Sequence, residues 1–366
     1  MFYIIFIKTL HNEWCKIPEN KPDIINNSYS ATLIIACRNE ENTIETCLNC
    51  ILNDVDLSGI TLEIIVVNDH STDRTREVIK KIISLNSNQS VVIKMIELTD
   101  KSGKKSAIEA GIVKASYSTI ITTDADCTFN KGWLKMMLEV FNSRKLKMLC
   151  GPVKLEGVGA FAGFQSVESA GLVVMGAATM HSKIPTTCNG ANLMYSKEAF
   201  YECKGFSDNA MLASGDDEFL MHKMFSAFPG QVEFSKFEEA IVFTATENSF
   251  SGFLNQRSRW ASKSSFYKDK RVRILQMITA LFILSVFVNL ILWFALQDEN
   301  CMLLFLLMLV GKISVDLSYF RSFNNFFKLN NFIWLVPMMF IYQLYFIPVL
   351  LKSFGGSYNW KGRTTV

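Results

Sequence analysis

The sequence lacks any large excess of charge of one sign. Its 366 residues include 37 basic and 34 acidic side chains, which gives a formal net charge of +3. A chain that binds nucleic acid broadly needs a basic field, and this balance does not supply one. We therefore expect no nucleic-acid partner.

Clustered metal ligands are also missing. The nine cysteines are scattered, and Cys47-x-x-Cys50 is the only close pair, without a second pair or a histidine cluster to accompany it. Because a structural zinc site needs four ligands, we interpret both residues as ordinary buried side chains of a helix. We expect reduced thiols that face the cytosol.

The usual phosphate-binding loops are absent as well. The stretch "KSGKKSA" lacks the glycine spacing of a Walker A loop, and no G-x-G-x-x-G follows the first predicted strand. These absences argue against a P-loop ATPase and against an ordinary dinucleotide site.

Long apolar runs begin only in the last quarter of the chain. Residues 274–296 contain no charged side chain, which is enough helix to cross a hydrocarbon core of about 30 Å. Residues 332–351 are a second charge-free candidate, and 301–320 is weaker because it holds Lys312 and Asp316. These two could pair inside a bundle, or the segment could be re-entrant. We predict a transmembrane region over residues 274–351, with the number of spans left open.

The flanks of this region predict its orientation. Basic residues precede the first span and favour a cytoplasmic location under the positive-inside rule: Lys263, Lys268, Lys270, Arg271 and Arg273. We therefore expect a multi-pass protein of the cell membrane, in contact with lipid, whose soluble domain faces the cytoplasm. The apolar N-terminal segment (residues 1–29) is too short to span and is predicted to be interfacial or part of a longer anchor. Residues 352–366 form a tail.

The soluble part alternates between strand and helix patterns. Buried strands are predicted at residues 31–37, 62–67, 91–98 and 119–123, and each of the first three is followed by a segment of helical period. This alternation predicts an α/β fold with a mostly parallel sheet flanked by helices. Such sheets bind ligands beyond the carboxyl ends of their strands.

Polar residues follow three of these strands at the point where each ends. They are Arg38-Asn39-Glu40, Asn68-Asp69-His70 and Asp124-Ala125-Asp126. In a parallel sheet all three groups would meet at one crevice. A nucleoside diphosphate could bind there, with one of the last two aspartates on Mg²⁺ or Mn²⁺ and the other on a ribose hydroxyl. Asp69 could contact the base or ribose.

Two further segments carry candidate site residues. Lys104 could meet phosphate charge at a helix start, although it could equally be a solvated lysine. In "GDDEFL" an acidic residue could act as a general base or simply cap a helix. In "QRSRW", Gln256, Arg259 and Trp260 lie within about one helical turn. They could bind diphosphate and a sugar ring, or form an aromatic belt at the membrane interface.

The ordered set of motifs resembles the inverting, processive-type glycosyltransferases of family 2, which include cellulose, chitin and hyaluronan synthases and ceramide glucosyltransferase. The matching segments cover about residues 30–265 and are "ACRNEENTI", "VVNDHSTDRT", "GKKSAIEAG", "TTDADC", "GDDEFL" and "QRSRW". The resemblance implies a GT-A fold, a nucleotide-sugar donor, a glycan or lipid acceptor and a divalent metal.

The resemblance also implies roles for individual residues. Asp69 and Asp124 would contact the nucleoside and ribose, Asp126 would hold the metal, and Asp217 would be the catalytic base. The remaining implied residues bind the nucleotide sugar (Arg38, Glu40, Lys104) or the diphosphate and acceptor (Asp216, Gln256, Arg259, Trp260).

The sequence departs from the family pattern at three places. Asn68 and Asp216 stand where aspartate and glutamate are common, and Ile108-Glu109 replaces Leu-Asn. Two alternatives stay open: a polyprenyl-phosphate sugar synthase, which usually lacks the QxxRW motif, and a non-catalytic membrane scaffold with a degenerate transferase domain. A small transporter is disfavoured because few spans accompany a large soluble part.

Overall fold

The computed structural model describes most of the chain. The described residues are 2–21, 28–88, 90–207, 215–263, 269–329, 341, 344–349, 358–360 and 363–365. They divide into two compact units. Unit 1 consists of Met1–Ile17, Gly157–Thr186 and Glu247–Gly356, and unit 2 of Pro18–Glu156, Thr187–Thr246 and Ser357–Val366.

Strands and helices alternate along unit 2. Its strands are β1 (Tyr29–Cys37), β2 (Ile60–Asn68), β3 (Val91–Glu97), β4 (Thr119–Asp124), β5 (Thr128–Phe129), β6 (Met148–Cys150), β7 (Val153–Glu156), β8 (Leu193–Ser196), β9 (Val232–Phe234), β10 (Val242–Ala245), β11 (Tyr358–Trp360) and β12 (Arg363–Thr365). Its helices are α2 (Ile44–Asn53), α3 (Thr75–Leu85), α4 (Lys104–Lys114), α5 (Trp133–Ser143), α7 (Lys197–Glu202) and α8 (Asp216–Ala227).

The main sheet of unit 2 has seven strands in the order β3-β2-β1-β4-β8-β6-β9. Strands β1 to β4 are parallel, as predicted, and β1, β2 and β3 are each followed by a helix that connects them to the next strand. Strand β8 was not predicted; it runs antiparallel between β4 and β6. Cys47 and Cys50 lie buried on α2 in the hydrophobic core, which confirms their interpretation as core residues.

A buried carboxylate joins three strands of this sheet. Glu63 on β2 accepts hydrogen bonds from the Thr32 hydroxyl at 2.6 Å, the Lys94 ammonium at 2.6 Å, and the backbone and hydroxyl of Ser116, both at 2.7 Å. Burial raises the pKa of Glu63, but these donors outweigh burial and lower the pKa to about 2. The ionised carboxylate is therefore part of the folded structure.

The Glu63 cluster predicts a pH dependence of stability. Since the folded-state pKa lies below the ordinary 4.5, the stabilisation is complete above about pH 4.5 and is lost as the pH falls toward 2. We expect Glu63→Gln to lower the free energy of unfolding at pH 7 by about 1–3 kcal/mol and to flatten its decline in acid. Thermal unfolding of the full chain in detergent at several pH values measures both effects. The exposed Glu77→Gln on α3 is the control, and an unchanged pH profile in Glu63→Gln would contradict the assignment.

Unit 1 is helical. It comprises α1 (Phe2–Lys16), α6 (Ala160–His181), α9 (Phe250–Ser262), α10 (Lys270–Leu296) and α11 (Glu299–Phe327). Helices α10 and α11 are long and apolar enough to cross a membrane. They contain the predicted segments 274–296 and 301–320, whereas most of the predicted segment 332–351 lies outside the described residues. The predicted α/β fold followed by apolar C-terminal helices is confirmed.

The N-terminal helix α1 packs on the two long helices. The Tyr3 ring stacks on Phe282 of α10 with centroids 4.2 Å apart, and the Trp14 indole N–H donates to the Ser322 carbonyl on α11 at 2.9 Å. The Tyr3 hydroxyl also donates to Asp316 at 2.7 Å, and Asp316 is ion-paired with Lys312. The predicted pair of charges on α11 is therefore present inside the helical unit.

Candidate active site

The carboxyl ends of β1, β2 and β4 bring the predicted polar groups to one edge of the sheet. Cys37 pairs in register with Asn68, and Ala36 pairs with Asp124. The residues that follow these positions, Arg38 and Asp69, therefore lie at the same edge of the sheet as Asp124. The structure brings together three groups that are far apart in the sequence, because parallel strands all end on the same side.

The loops at this edge are tied to each other by side chains. Arg38 donates from Nη1 to the carbonyls of Asp69 at 2.9 Å and His70 at 3.0 Å, so it joins the end of β1 to the end of β2. The carboxylate of Glu40 accepts from the Thr43 hydroxyl at 2.8 Å, just before α2 begins. In these contacts both residues shape the loops of the crevice.

Asp69 fixes the start of α4. It is buried, and its Oδ2 accepts from the backbone N–H of Gly103 at 2.9 Å. Gly103 has φ +101°, a conformation that side-chain-bearing residues rarely adopt. The glycine allows the chain to turn into the helix, and the next residue, Lys104, projects from the first turn.

Lys104 connects the two acidic segments. Its ammonium lies 2.6 Å from Asp124 Oδ1 and 3.6 Å from Asp216 Oδ2. Burial lowers the pKa of Lys104, but Asp124, Asp216 and Asp217 outweigh it and raise the pKa well above its usual range. Lys104 is thus a permanent cation between the end of β4 and the start of α8, and not a solvated surface lysine.

Asp126 differs from Asp124 in its surroundings. Its side chain reaches solvent, and its Oδ2 accepts from the Thr244 hydroxyl at 3.1 Å. Neighbouring protein atoms remove part of its hydration, and this effect together with the charge of Asp124 raises the pKa of Asp126. A bound cation would stabilise the ionised form of a carboxylate that lies beside another negative charge in this way.

The donor chemistry at Asp126 fits a hard divalent cation. Carboxylate oxygens are the preferred ligands of Mg²⁺ and Mn²⁺, and such ions often take one or two carboxylates with substrate phosphates and water completing the shell. Within the described ranges no three His, Cys, Asp or Glu side chains are grouped closely enough to hold a metal.

Asp217 occupies the first turn of α8. Its Oδ2 accepts from the backbone N–H of Gly190 at 3.0 Å, and its Oδ1 accepts from the N–H of Glu218 at 2.8 Å. A Cβ at Gly190 would lie 3.4 Å from the Asp217 Cβ and 3.3 Å from both the Asp216 carboxylate and the Lys104 ammonium. A glycine at this position therefore lets the turn that leads into β8 approach the acidic residues closely.

The predicted "QRSRW" residues belong to α9 in unit 1, whereas the acidic cluster belongs to unit 2. Gln256, Arg259 and Trp260 are all half-buried. Arg257, which the motif left unassigned, is buried and ion-paired with Glu168 of α6. In the sequence, Arg257 is marked only by its position directly after Gln256. Its partner Glu168 lies 89 residues away, so the ion pair could not be predicted from neighbouring residues.

The departure from the family pattern at Asn68 has a structural explanation. The Asn68 side chain donates from Nδ2 to Glu97 Oε2 at 2.7 Å and accepts from the Ser71 N–H at 3.2 Å. Glu97 is also ion-paired with Arg76 at 2.9 Å. An aspartate at position 68 would face the Glu97 carboxylate, so the amide suits this neighbour.

We expect Asn68→Asp to destabilise the chain by about 1–2 kcal/mol, because it replaces a hydrogen bond with a contact between like charges. Thermal unfolding at neutral pH measures the loss. The second change Glu97→Gln restores a donor and acceptor pair and should recover most of it. Equal stability of Asn68→Asp and the wild type would contradict this explanation.

The mostly parallel sheet, with an antiparallel strand inserted beside β4 and acidic residues at its carboxyl edge, defines an α/β fold of the GT-A class. Residues 119–350 match the family described as "Glycosyl transferase family group 2", and residues 32–203 match "Glycosyl transferase family 2". The chain belongs to glycosyl transferase family group 2 and is a glycosyltransferase. The family resemblance of the sequence motifs is confirmed.

Relatives with known names share this region. A poly-beta-1,6-N-acetyl-D-glucosamine synthase of Staphylococcus aureus (strain MSSA476) is 30% identical over 197 residues, which are 52% of this chain and 45% of the relative. The synthase of that name from Staphylococcus epidermidis is 24% identical over 234 residues, 63% of this chain and 53% of the relative. The chain thus spans about half the length of these relatives.

A solved structure shares the fold over nearly the whole chain. Mannosyltransferase PcManGT from Pyrobaculum calidifontis, in complex with GDP-Man and Mn²⁺, superimposes with a TM-score of 0.64. It is 16% identical in sequence, and the match covers 96% of this chain and 95% of the mannosyltransferase. The similarity extends to both compact units and concerns the fold.

Proposed function

We propose that this chain is a membrane-anchored inverting glycosyltransferase. It moves a sugar from a nucleotide diphosphate sugar, in our proposal UDP-linked, to a hydroxyl of a lipid-linked or growing glycan. The observation that carries the proposal is the cluster at the carboxyl edge of the parallel sheet, where Lys104 joins Asp124 to Asp216 beside Asp217. Poly-beta-1,6-N-acetyl-D-glucosamine synthases are the named relatives, which supports a glycan acceptor.

In this proposal the reaction is a direct displacement at the anomeric carbon. Asp217 accepts the proton of the acceptor hydroxyl as its oxygen forms the new glycosidic bond. The bond between the anomeric carbon and the diphosphate breaks at the same time, and the nucleoside diphosphate leaves. Attack from the opposite face inverts the anomeric configuration, and no covalent enzyme intermediate forms.

The remaining site residues bind the donor and acceptor. We assign Asp69 and Asp124 to the nucleoside and ribose, with Arg38 and Glu40 shaping that side of the crevice. Lys104 contributes positive charge toward the phosphates, and Asp216 holds Lys104 in place. The diphosphate and acceptor contacts are assigned to the α9 residues Gln256, Arg259 and Trp260.

We propose that Asp126 holds Mg²⁺ or Mn²⁺ together with the phosphates of the donor. Its solvent-reaching carboxylate and its raised pKa beside Asp124 support this assignment. When bound, the cation would stabilise the negative charge on the departing diphosphate. The Mn²⁺ in the mannosyltransferase complex agrees with this choice of metal.

We also propose a location at the cell membrane, with α10 and α11 as spans and residues 30–265 as a catalytic region on the cytoplasmic side. Exposed apolar side chains along both helices support contact with lipid, among them Leu281, Ile291, Phe294, Leu303 and Leu307. The two helices are joined by only two residues, Gln297 and Asp298, so they form a hairpin. Arg271 and Arg273 at the start of α10 support the cytoplasmic orientation.

The test is a donor panel. Membranes that contain the full chain are incubated with radiolabelled UDP-N-acetylglucosamine, UDP-glucose or GDP-mannose, and label is followed into lipid-soluble and oligosaccharide products. Membranes with Asp217→Asn serve as the blank. Transfer above this blank from one donor supports the proposal. Label on polyprenyl phosphate alone would indicate a polyprenyl-phosphate sugar synthase, and no transfer from any nucleotide sugar would favour the scaffold.

A further inference from the structure

Arg257, in the middle of "QRSRW", forms a buried ion pair within unit 1. Its Nε lies 3.0 Å from both carboxylate oxygens of Glu168, and its Nη2 lies 2.5 Å from Oε2. The two side chains are each 4% exposed. Removing two charges from water is costly, and only such multiple hydrogen bonding offsets it. The pair therefore fixes the guanidinium in one position between α6 and α9.

The fixed guanidinium lies against the ring of Trp260. Its central carbon is 4.3 Å from the Trp260 ring centre and 4.5 Å from the Phe253 ring centre. Arg257 also donates to the side-chain oxygen of Gln256. The planar cation thus touches Trp260, the flat apolar side chain of the motif, and restricts the orientations that its ring can adopt.

Glu168 is itself held on its other side. The Tyr345 hydroxyl donates to Glu168 Oε1 at 2.8 Å, and the Tyr345 ring packs edge-on against Phe253 at 5.0 Å. Both carboxylate oxygens of Glu168 are therefore satisfied within the helical unit. The series of contacts from Tyr345 through Glu168 and Arg257 to Trp260 is continuous, and it is buried up to its last member, which is half-buried.

We propose that Arg257, held by Glu168, is a positioning residue that orients the Trp260 ring for the acceptor sugar. The inference rests on the proposed function, in which Trp260 contacts the acceptor. Arg257 does not touch substrate; it keeps the indole face in the orientation that stacks against a sugar ring. Its loss raises the acceptor KM and leaves the donor KM unchanged.

The main variant removes both buried charges together, as Arg257→Met with Glu168→Gln. Each single change would leave one buried charge without a partner, whereas the double change leaves none, and the amide oxygen introduced by Glu168→Gln would still accept from Tyr345. We expect a thermal unfolding temperature close to that of the wild type. The acceptor KM, measured with an N-acetylglucosamine oligosaccharide and the donor found in the panel, should rise about tenfold, in line with loss of a desolvated cation–π contact.

The result that overturns the inference is a folded double variant with the wild-type acceptor KM, since the pair would then be purely structural. If the double variant does not fold, Arg257→Lys replaces it. Lysine keeps the positive charge beside Glu168 but lacks the planar face, so the acceptor KM should again rise, by a smaller factor. A wild-type acceptor KM in folded Arg257→Lys equally overturns the inference.

A second measurement separates action through Trp260 from any other route. In a Trp260→Ala background, the Arg257→Met and Glu168→Gln changes should add no further rise in acceptor KM. A further rise in the acceptor KM in this background, by the factor that the double change causes alone, would contradict the inference. Arg144→Lys, in the Arg144–Glu233 ion pair of unit 2 (2.7 Å), is the matched control and should leave the acceptor KM unchanged.

The outcomes also separate this inference from the proposed function. If the wild-type chain transfers sugar from no donor of the panel, the proposed function is wrong and the inference falls with it. If the wild type is active and the acceptor KM of the variants is unchanged, only the inference is wrong.

Discussion

Asp217→Asn should lower sugar transfer by about a thousandfold, within the range lost when a general base is removed. The amide cannot accept the proton of the acceptor hydroxyl, so the nucleophile stays protonated during attack. The donor site should remain intact, because Asp69 accepts from the Gly103 N–H and Asp124 accepts from the Lys104 ammonium, and neither contact includes Asp217. Radiolabelled transfer and nucleotide binding, measured on the same purified protein, test both statements.

The local structure allows this variant to fold. Asp217 accepts from the backbone N–H groups of Gly190 and Glu218, and asparagine keeps one acceptor oxygen for one of them. A loss of about 1 kcal/mol of stability is expected for the other hydrogen bond. Asp54→Asn, at an exposed position of the same unit, is the matched control. Near-wild-type transfer by Asp217→Asn would remove Asp217 as the base.

Asp126→Ala should lower metal-dependent transfer by at least about a hundredfold, since in our proposal Asp126 holds the cation that would stabilise the charge of the leaving diphosphate. Excess chelator should do the same to the wild-type chain, and added Mn²⁺ should restore activity only where Asp126 is present. Calorimetric titration of Mn²⁺ in the presence of UDP gives a readout besides activity: the wild type should bind and Asp126→Ala should not.

This variant is not expected to unfold the chain. Asp126 is at the surface, and its polar contacts are with the Thr244 hydroxyl and the Cys127 thiol. Removing it also relieves its repulsion with Asp124. Asp54→Ala controls for the loss of an exposed carboxylate. Full activity of the wild type in excess chelator would refute the role given to Asp126, whatever the behaviour of the variant.

The family and the sheet were predictable because they depend on local patterns. The buried apolar runs that became β1 to β4, and the helical periods between them, are read from neighbouring residues, since pleat and helix impose short repeats on the sequence. The polar residues at the strand ends are equally local. Parallel strands then bring them together, so Arg38, Asp69 and Asp124 could be grouped without coordinates.

Other features could not be predicted because they join residues distant in sequence. The antiparallel β8 follows a turn-like stretch with no strand periodicity, and it takes its place through pairing with β4 and β6. The sequence left open whether Lys104 is a solvated lysine. Because α8 begins close to Lys104 in the folded chain, the ammonium lies between Asp124 and Asp216. An asparagine at position 68 is likewise explained only by its hydrogen bond to Glu97 on the neighbouring strand.

By itself the sequence determined the fold class, the family and the set of acidic residues from which a site could be built, because periodicity and motif order are properties of the linear chain. Only the tertiary structure decided which of those residues touch. It paired Lys104 with two aspartates, joined Glu63 to donors on both neighbouring strands and to Ser116, and buried Arg257 against Glu168. A buried charge needs a partner at hydrogen-bond distance, and the packing of elements far apart in the sequence is what selects that partner.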